Sequence, residues 1–279
     1  LAHKDRGAVI MPVSLPDDKE EIPPLMLQKS DGGFLYGTTD LATLKERVEK
    51  YQAEWVIYVV DARQRMHFTQ VFRGAEKAGW QPDRLDFIGF GTMNGPDGKP
   101  FKTRAGGVMR LQELMDMLEK EAYGHLESAA IDAKGFSEEQ KKDIAFKVGM
   151  AALKFADLQH DPRQNYQFDL QKFLSFEGKT GPYIQYAAVR IQSILRQIES
   201  VPASTEEGEE ASFTLLPGER NLALCLLRFS ETVHRALSSL SPNILADFAY
   251  ELARTFSQFY QKCPVKTEKD IKRKRMRMM

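Results

Sequence analysis

The 279-residue sequence predicts two fold classes in succession, α/β and then all-α, on three observations. Between residues 22 and 118 strand and helix signals alternate, which implies a parallel sheet with right-handed helical crossovers. From about Leu111 onward every strong apolar pattern has the helical period. No internal repeat interrupts this order. Between the helices of this half, Val201 to Gly218 is rich in Ser, Glu, Pro and Gly and reads as a solvated loop.

Taken in order, Thr38 or Thr39 is expected to cap a helix whose apolar positions are Leu41, Leu44, Val48 and Tyr51, with Asp40 in its first turn. Trp55-Val56-Ile57-Tyr58-Val59-Val60 reads as a strand buried on both faces, because it is unbroken by charge and rich in branched and aromatic residues. Phe68, Val71, Phe72 and Ala75 form the next amphipathic helix, Gly79 ends it, and Phe87-Ile88-Gly89-Phe90 is a further strand. In open parallel sheets ligands sit beyond the C-terminal strand ends, where Asp61 to Gln64 and Gly91 onward lie. In the second half, Ser137 with Gln140 forms a capping box ahead of Ile144, Val148, Ala151 and Phe155. Further helices run through Ala187, Ile191, Ile194, Leu195 and Ile198, and through Leu222, Cys225, Phe229, Val233, Ala236 and Leu240. A last one, opened by Ser241-Pro242, carries Leu245, Ala249, Leu252, Phe256 and Phe259.

The bulk numbers restrict the function classes. With 42% hydrophobic and 28% charged residues the chain is globular and long enough for two domains. Its 39 basic and 39 acidic residues cancel, so the chain lacks the field of a protein that lives on nucleic acid, and any RNA contact must be local. Two cysteines, Cys225 and Cys263, suggest a reducing compartment and argue against a disulfide framework. No apolar run approaches a membrane span, and His3, Lys4, Asp5 and Arg6 replace a signal-peptide core, so a cytoplasmic protein is expected. His3, His125, His160 and His234 have no ligand spacing, and no metal site is expected.

Gly98-Lys99-Pro100-Phe101-Lys102-Thr103-Arg104-Ala105-Gly106-Gly107 combines two lysines, a hydroxyl and an arginine between glycines, the chemistry of a polyphosphate-binding loop. Upstream stand Asp31-Gly32-Gly33-Phe34-Leu35-Tyr36-Gly37-Thr38-Thr39-Asp40-Leu41 and Val59-Val60-Asp61-Ala62-Arg63-Gln64. Downstream stands Phe176-Glu177-Gly178-Lys179-Thr180-Gly181-Pro182-Tyr183-Ile184-Gln185-Tyr186-Ala187. In this order and spacing the segments resemble the arginyl-tRNA synthetase family of class I aminoacyl-tRNA synthetases, from about Ile22 to about Pro264. The basic loop resembles that family's variant of the KMSKS signature.

The resemblance implies the second half of a Rossmann-type catalytic sheet over residues 1–118, connecting helices over 119–175 and a helical anticodon-binding bundle over 176–279. It implies arginine–tRNA ligase activity with ATP and Mg2+, on L-arginine and tRNA(Arg), in a monomer that binds neither DNA nor membrane. Free arginine needs an anion for its guanidinium fork and neutral groups for the remaining donors. Asp40 is the natural anion, and Tyr36 and Gln64 match the family's other side-chain contacts. His67, one turn after Gln64, is either a supporting residue behind this site or an ordinary helix-surface histidine. For ATP the matching residues are Phe90, Gly91, Met93, Lys99, Phe101, Lys102 and Arg104, with Lys102 the catalytic choice for neutralising the departing pyrophosphate. Tyr183, Tyr186 and Arg190 match the start of the anticodon domain, where aromatics stack on unpaired bases and arginine meets phosphate; packing within the bundle is the alternative for the tyrosines.

Three departures accompany the resemblance. Phe87 stands where the family usually has histidine. No His-x-Gly-His pattern occurs, so the chain reads as a C-terminal fragment that is inactive alone. The tail Lys266 to Met279 alternates Lys, Arg and Met without a helix face and is either disordered or in contact with RNA. The competing reading is a non-catalytic RNA-binding helical module derived from a class I synthetase.

Overall fold

The computed structural model describes residues 1–95, 97–99, 109–128, 135–196 and 214–278. The chain divides into two compact units, Leu1–Gly91 with Arg163–Asn165, and Thr92–Pro162 with Tyr166–Met279. Among the described residues no helix is long and apolar enough to cross a membrane.

The first unit opens on an antiparallel sheet of β1 (His3–Asp5), β2 (Ala8–Met11) and β3 (Leu25–Gln28), in that spatial order. Strands this short are invisible to periodicity, which needs a longer run to separate period two from chance. Next comes α1 (Tyr36–Glu49). It begins earlier than its threonines suggest: Leu35 is the N-cap, without a side-chain hydrogen bond, and Thr38 and Thr39 lie inside the first turn. Their hydroxyls donate to the carbonyls of Leu27 and Tyr36 respectively. Asp40 is therefore in the second turn, not the first. The cause is Gly37, where a Cβ would lie 2.7 Å from Leu25 Cδ1 and 3.2 Å from the Met26 carbonyl oxygen. Bare backbone at that position lets the helix start dock on β3.

The strand β4 (Trp55–Asp61) runs into a 3-10 turn, Ala62–Gln64, then α2 (Arg65–Ala78) and β5 (Arg84–Phe90). β4 and β5 pair in parallel from Trp55 opposite Arg84 to Asp61 opposite Phe90. Gly79 closes α2 in the left-handed region at φ +74°, the cap that residue favours. Leu41 and Leu44 of α1 and Phe68, Val71 and Ala75 of α2 share one core with Val56 and Tyr58. The expectation of a strand buried on both faces is corrected here. Ile57 and Val59 are 39% and 59% exposed, because the helices of this unit cover only the face carrying Val56 and Tyr58.

In the second unit β6 (Met93–Asn94) precedes α3 (Leu111–Ser128) and α4 (Glu138–Leu158), then β7 (Tyr166–Gln167) and α5 (Leu170–Leu174). β6 and β7 are parallel. Leu114 and Leu118 of α3 pack with Ala145 and Ala152 of α4 and with Phe168 and Phe173. The capping box forms: the Gln140 N–H donates to Ser137 Oγ at 3.2 Å, and the Ser137 N–H to Gln140 Oε1 at 2.8 Å. After these come α6 (Gly181–Arg196), α7 (Pro217–Leu227), α8 (Phe229–Ser239), α9 (Asn243–Lys262) and α10 (Ile271–Met278). Ala187 and Ile194 of α6 pack on Ala253, Phe256 and Phe259 of α9.

Three expectations in this half are corrected. The pattern from Leu222 to Leu240 is two helices, broken at Arg228, whose ψ of −6° departs from the helical value. A single such residue leaves the flanking apolar spacing almost in phase and so escapes the period. Pro217 and Gly218, expected in the loop, already belong to α7; residues 201–213 of that loop lie outside the described residues. The tail forms α10 in place of an unpatterned segment. Its Arg277 side chain is 2% exposed and donates from Nε to Glu219 Oε1 at 2.6 Å, Glu219 being 1% exposed. Buried charge, not an apolar stripe, docks this helix. Cys225 and Cys263 are free and buried.

Candidate functional site

In the first unit four of the sequence-chosen residues occupy two helix starts. Tyr36 and Asp40 are one turn apart on α1 and so share a face. Gln64 is the N-cap residue of α2, and His67 is one turn into that helix. The two helix starts meet through a contact of 2.6 Å between His67 Nε2 and Asp40 Oδ2, with the two side chains 31% and 28% exposed. Among the described residues this is the hydrogen bond Asp40 makes, leaving Oδ1 without one. Tyr36 is 82% exposed and Gln64 is exposed. Neither bonds to Asp40; both are presented to solvent.

The loop that presents Gln64 is fixed by a feature that sequence reasoning missed. Asp61, the last residue of β4, accepts the Arg63 N–H at 2.8 Å and the Arg63 guanidinium at 2.9 Å and 2.5 Å. These bonds pull its carboxyl down to about pKa 2. The signal was available, since an aspartate closing a strand two residues before a backbone N–H is an Asx turn. On the adjoining strand, Phe87 packs against Phe68, with ring centroids 5.9 Å apart, beneath the Arg65 guanidinium at 4.7 Å. The aromatic is thus used in packing this unit.

At the end of β5, Phe90 is 41% exposed, and a Cβ on Gly91 would lie 2.4 Å from the Gln164 carbonyl oxygen. Only glycine allows that backbone approach. In the second unit Met93 pairs with Tyr166. The carbonyls of Thr92 and Asn94 accept from Tyr166 and Phe168 at 3.1 and 2.8 Å, so by strand alternation the Met93 N–H and C=O face the opposite edge. A tight turn follows: the Gly95 N–H donates to the Lys99 carbonyl at 2.8 Å and the Lys99 N–H to Asp97 Oδ1 at 3.1 Å. Gly98 takes φ +73° there, and Lys99 is exposed. Phe101, Lys102 and Arg104 lie outside the described residues. Among those described, no group of three or more His, Cys, Asp or Glu is placed to hold a metal ion.

On α6, Thr180 anchors the start, donating from Oγ1 to the Ser175 carbonyl at 2.6 Å and accepting the Tyr183 N–H at 3.3 Å. Gly181 permits a close crossing, since a Cβ there would lie 2.1 Å from the Ala151 carbonyl oxygen of α4. Tyr183 is partly buried, its ring centroid 5.5 Å from that of Tyr250. Tyr186 is 49% exposed. The Arg190 guanidinium lies 4.4 Å from the Tyr186 ring centroid and 4.9 Å from that of Tyr260, and it also donates to the Tyr186 hydroxyl. A cation held between two aromatic rings on a helix surface offers both a stacking face and a charge.

Comparison with known proteins matches residues 1–170 to the family model "tRNA synthetases class I (R), catalytic domain" and residues 184–279 to the "DALR anticodon binding domain". Arginine–tRNA ligase of Alkaliphilus oremlandii is 47% identical over 273 residues, which are 96% of this chain and 45% of that protein. The Hyphomonas neptunium ligase is 44% identical over 100% of this chain and 47% of its own length. Among solved structures, arginyl-tRNA synthetase of Plasmodium falciparum superposes with a TM-score of 0.78 at 27% identity, covering 100% of this chain and 46% of that one. The Thermus thermophilus enzyme gives 0.79 at 25% identity, over 99% and 51%. The chain spans about half the length of the relatives it matches.

Proposed function

The chain belongs to the arginyl-tRNA synthetase family, and from that membership we propose that the protein carrying it is an arginine–tRNA ligase, which activates L-arginine with ATP and transfers it to tRNA(Arg). The observation that carries this reading is the succession, in one chain, of a segment matching an arginine-type class I catalytic domain and a segment matching an anticodon-binding domain. A binding module alone would need only the second.

The site residues take roles that their positions support. Asp40 accepts the guanidinium, while Tyr36 and Gln64, both exposed, satisfy its remaining donors. A substrate lacking the guanidinium donors leaves these acceptors unpaired and is discriminated against. The backbone of Met93 that faces away from β7 receives the adenine. Lys99, Lys102 and Arg104 receive the phosphates, Phe101 belongs to the same ATP-binding segment, and Mg2+ accompanies ATP as part of that substrate. The arginine carboxylate attacks the α-phosphorus in line as pyrophosphate departs, and Lys102 neutralises the charge that develops. On the helical half, Tyr186 and Arg190 offer a stacking face and a cation to unpaired anticodon bases, with Tyr183 anchoring the helix that bears them. We place the protein in the cytoplasm as a monomer.

The test is aminoacylation of unfractionated tRNA by the product of the full open reading frame, with each of the twenty amino acids in turn. Arginine alone is expected to be esterified; no charging, or charging with a different amino acid, overturns the proposal.

A further inference from the structure

We propose that α10, with the segment that leads into it from α9, is a docked binding surface for the phosphate backbone of RNA, adjoining the aromatic–arginine surface of α6. The inference rests on the reading of that surface as an anticodon contact, and adds to it a part that holds RNA without reading its sequence.

The positive charge of the chain is concentrated here. Between Lys262 and Met279 stand eight basic and two acidic residues out of 39 of each, leaving 31 basic and 37 acidic residues in the rest. The rest of the chain is therefore net negative and repels a polyanion, so RNA is drawn to this segment. Neither acidic side chain of the segment faces a ligand unengaged. Glu268 pairs with Arg277 at 2.8 Å, and Asp270 accepts the Lys272 and Arg273 N–H groups at 3.0 and 3.3 Å at the start of α10.

The basic residues fall into two sets. Arg273 and Arg277, four positions apart on one face, turn inward to the buried Glu219 and dock the helix. Arg275 falls on the opposite face by the helical period, and Lys262, Lys266, Lys269 and Lys272 are exposed. Lys274 Nζ donates to the Lys266 carbonyl at 3.3 Å, which ties the leading segment to the helix. Docking through Glu219 thus holds in one place the cations of a tail that has no apolar stripe to fix it.

This surface is continuous with the aromatic one. Met278 of α10 packs on the same core as Tyr183 and Tyr260. Tyr260, whose ring centroid is 4.9 Å from the Arg190 guanidinium, stands two residues before Lys262 on α9. A single-stranded loop presents bases and phosphates together, and adjoining aromatic and cationic surfaces receive both. An acidic peptide would use the cations and leave the rings without a partner.

The experiment is fluorescence anisotropy of a labelled tRNA(Arg) transcript titrated with the product of the full open reading frame, between about 50 and 200 mM salt. Three proteins are compared: the wild type, the triple variant Lys269→Gln, Lys272→Gln, Arg275→Gln, and the charge-conserving Lys269→Arg, Lys272→Arg, Arg275→Lys. The glutamine variant is expected to bind on the order of tenfold more weakly at about 100 mM salt, and to flatten the slope of log affinity against log salt by about 2, since each lost phosphate contact removes roughly 0.7–0.9. The charge-conserving variant is expected to keep both affinity and slope. The loss is expected to be the same factor for a transcript whose anticodon has been replaced, because phosphate contacts carry no sequence. Wild-type affinity and slope in the glutamine variant, or a loss in the charge-conserving variant as large as in the glutamine variant, overturns the inference and leaves the anticodon reading standing. Capture of the wild type by vesicles of phosphatidylserine and phosphatidylcholine, with tRNA affinity unchanged in the glutamine variant, reassigns the surface to a membrane and likewise overturns it. No tRNA binding by the folded wild type overturns both.

Discussion

Asp18 and Arg73 show how one ion pair fixes a loop that has no secondary structure of its own. Arg73 forks onto both Asp18 oxygens at 2.6 and 2.7 Å and also donates to the Val13 carbonyl at 3.1 Å, clasping the segment between β2 and β3 to α2. Hydrogen bonds from Arg73, then the Leu15 N–H, lower the Asp18 pKa from 3.8 to about 2. The folded-state pKa is depressed, so the contribution is fully present above the unfolded value of 3.8 and is lost as the pH falls through about 2. Asp18→Asn is expected to unfold at lower urea than the wild type at neutral pH, with the gap closing between about pH 4 and 2; equal midpoints at neutral pH would contradict this. Neither partner was legible in the sequence, since 55 positions separate them. Asp40, Tyr36 and Gln64 were legible because each lies in a contiguous motif. The bond from Asp40 to His67 joins two helix starts 27 positions apart, and only the fold reveals it.

Among the elements, the parallel pair of β4 and β5 and the helices α2, α4 and α9 announce themselves through long, regular apolar spacing. The elements that escaped notice are short or held by polar contacts: β1 to β3, the pairing of β6 with β7, and α10. The last is the sharpest case. Arg277 reaches Glu219, Glu268 and the Pro264 carbonyl, and Glu219 at the same time accepts the Leu216 N–H at 2.7 Å, so one buried carboxylate caps α7 and docks α10. Without Arg277 the buried Glu219 keeps the Arg273 guanidinium, at 3.4 Å, and the Leu216 N–H, so the cost is that of a lost charged hydrogen bond, about 1.5–3 kcal/mol. Arg277→Ala is expected to lower the stability of the helical unit by roughly that amount in chemical denaturation. A loss below about 1 kcal/mol, the scale of an exposed pair, would show that α10 is not held through this arginine.

At the scale of the whole molecule, the chain joins an α/β unit bearing a carboxylate and its neutral companions to a unit of helices bearing an aromatic–arginine surface. The change of period near Leu111 made that succession legible, whereas the face of β4 that carries Ile57 and Val59 gave a false reading. Its branched residues have the composition of a strand covered on both sides, and composition does not record what covers it. The identity of the amino acid is the central claim, and Asp40 is the residue on which it turns. The most direct measurement is arginine-dependent ATP–pyrophosphate exchange, with cognate tRNA present, by the product of the full open reading frame and by the same product carrying Asp40→Ala. Exchange in the wild type that disappears in a folded Asp40→Ala protein is the predicted result; exchange that persists in the variant, or is absent from the wild type, would contradict it.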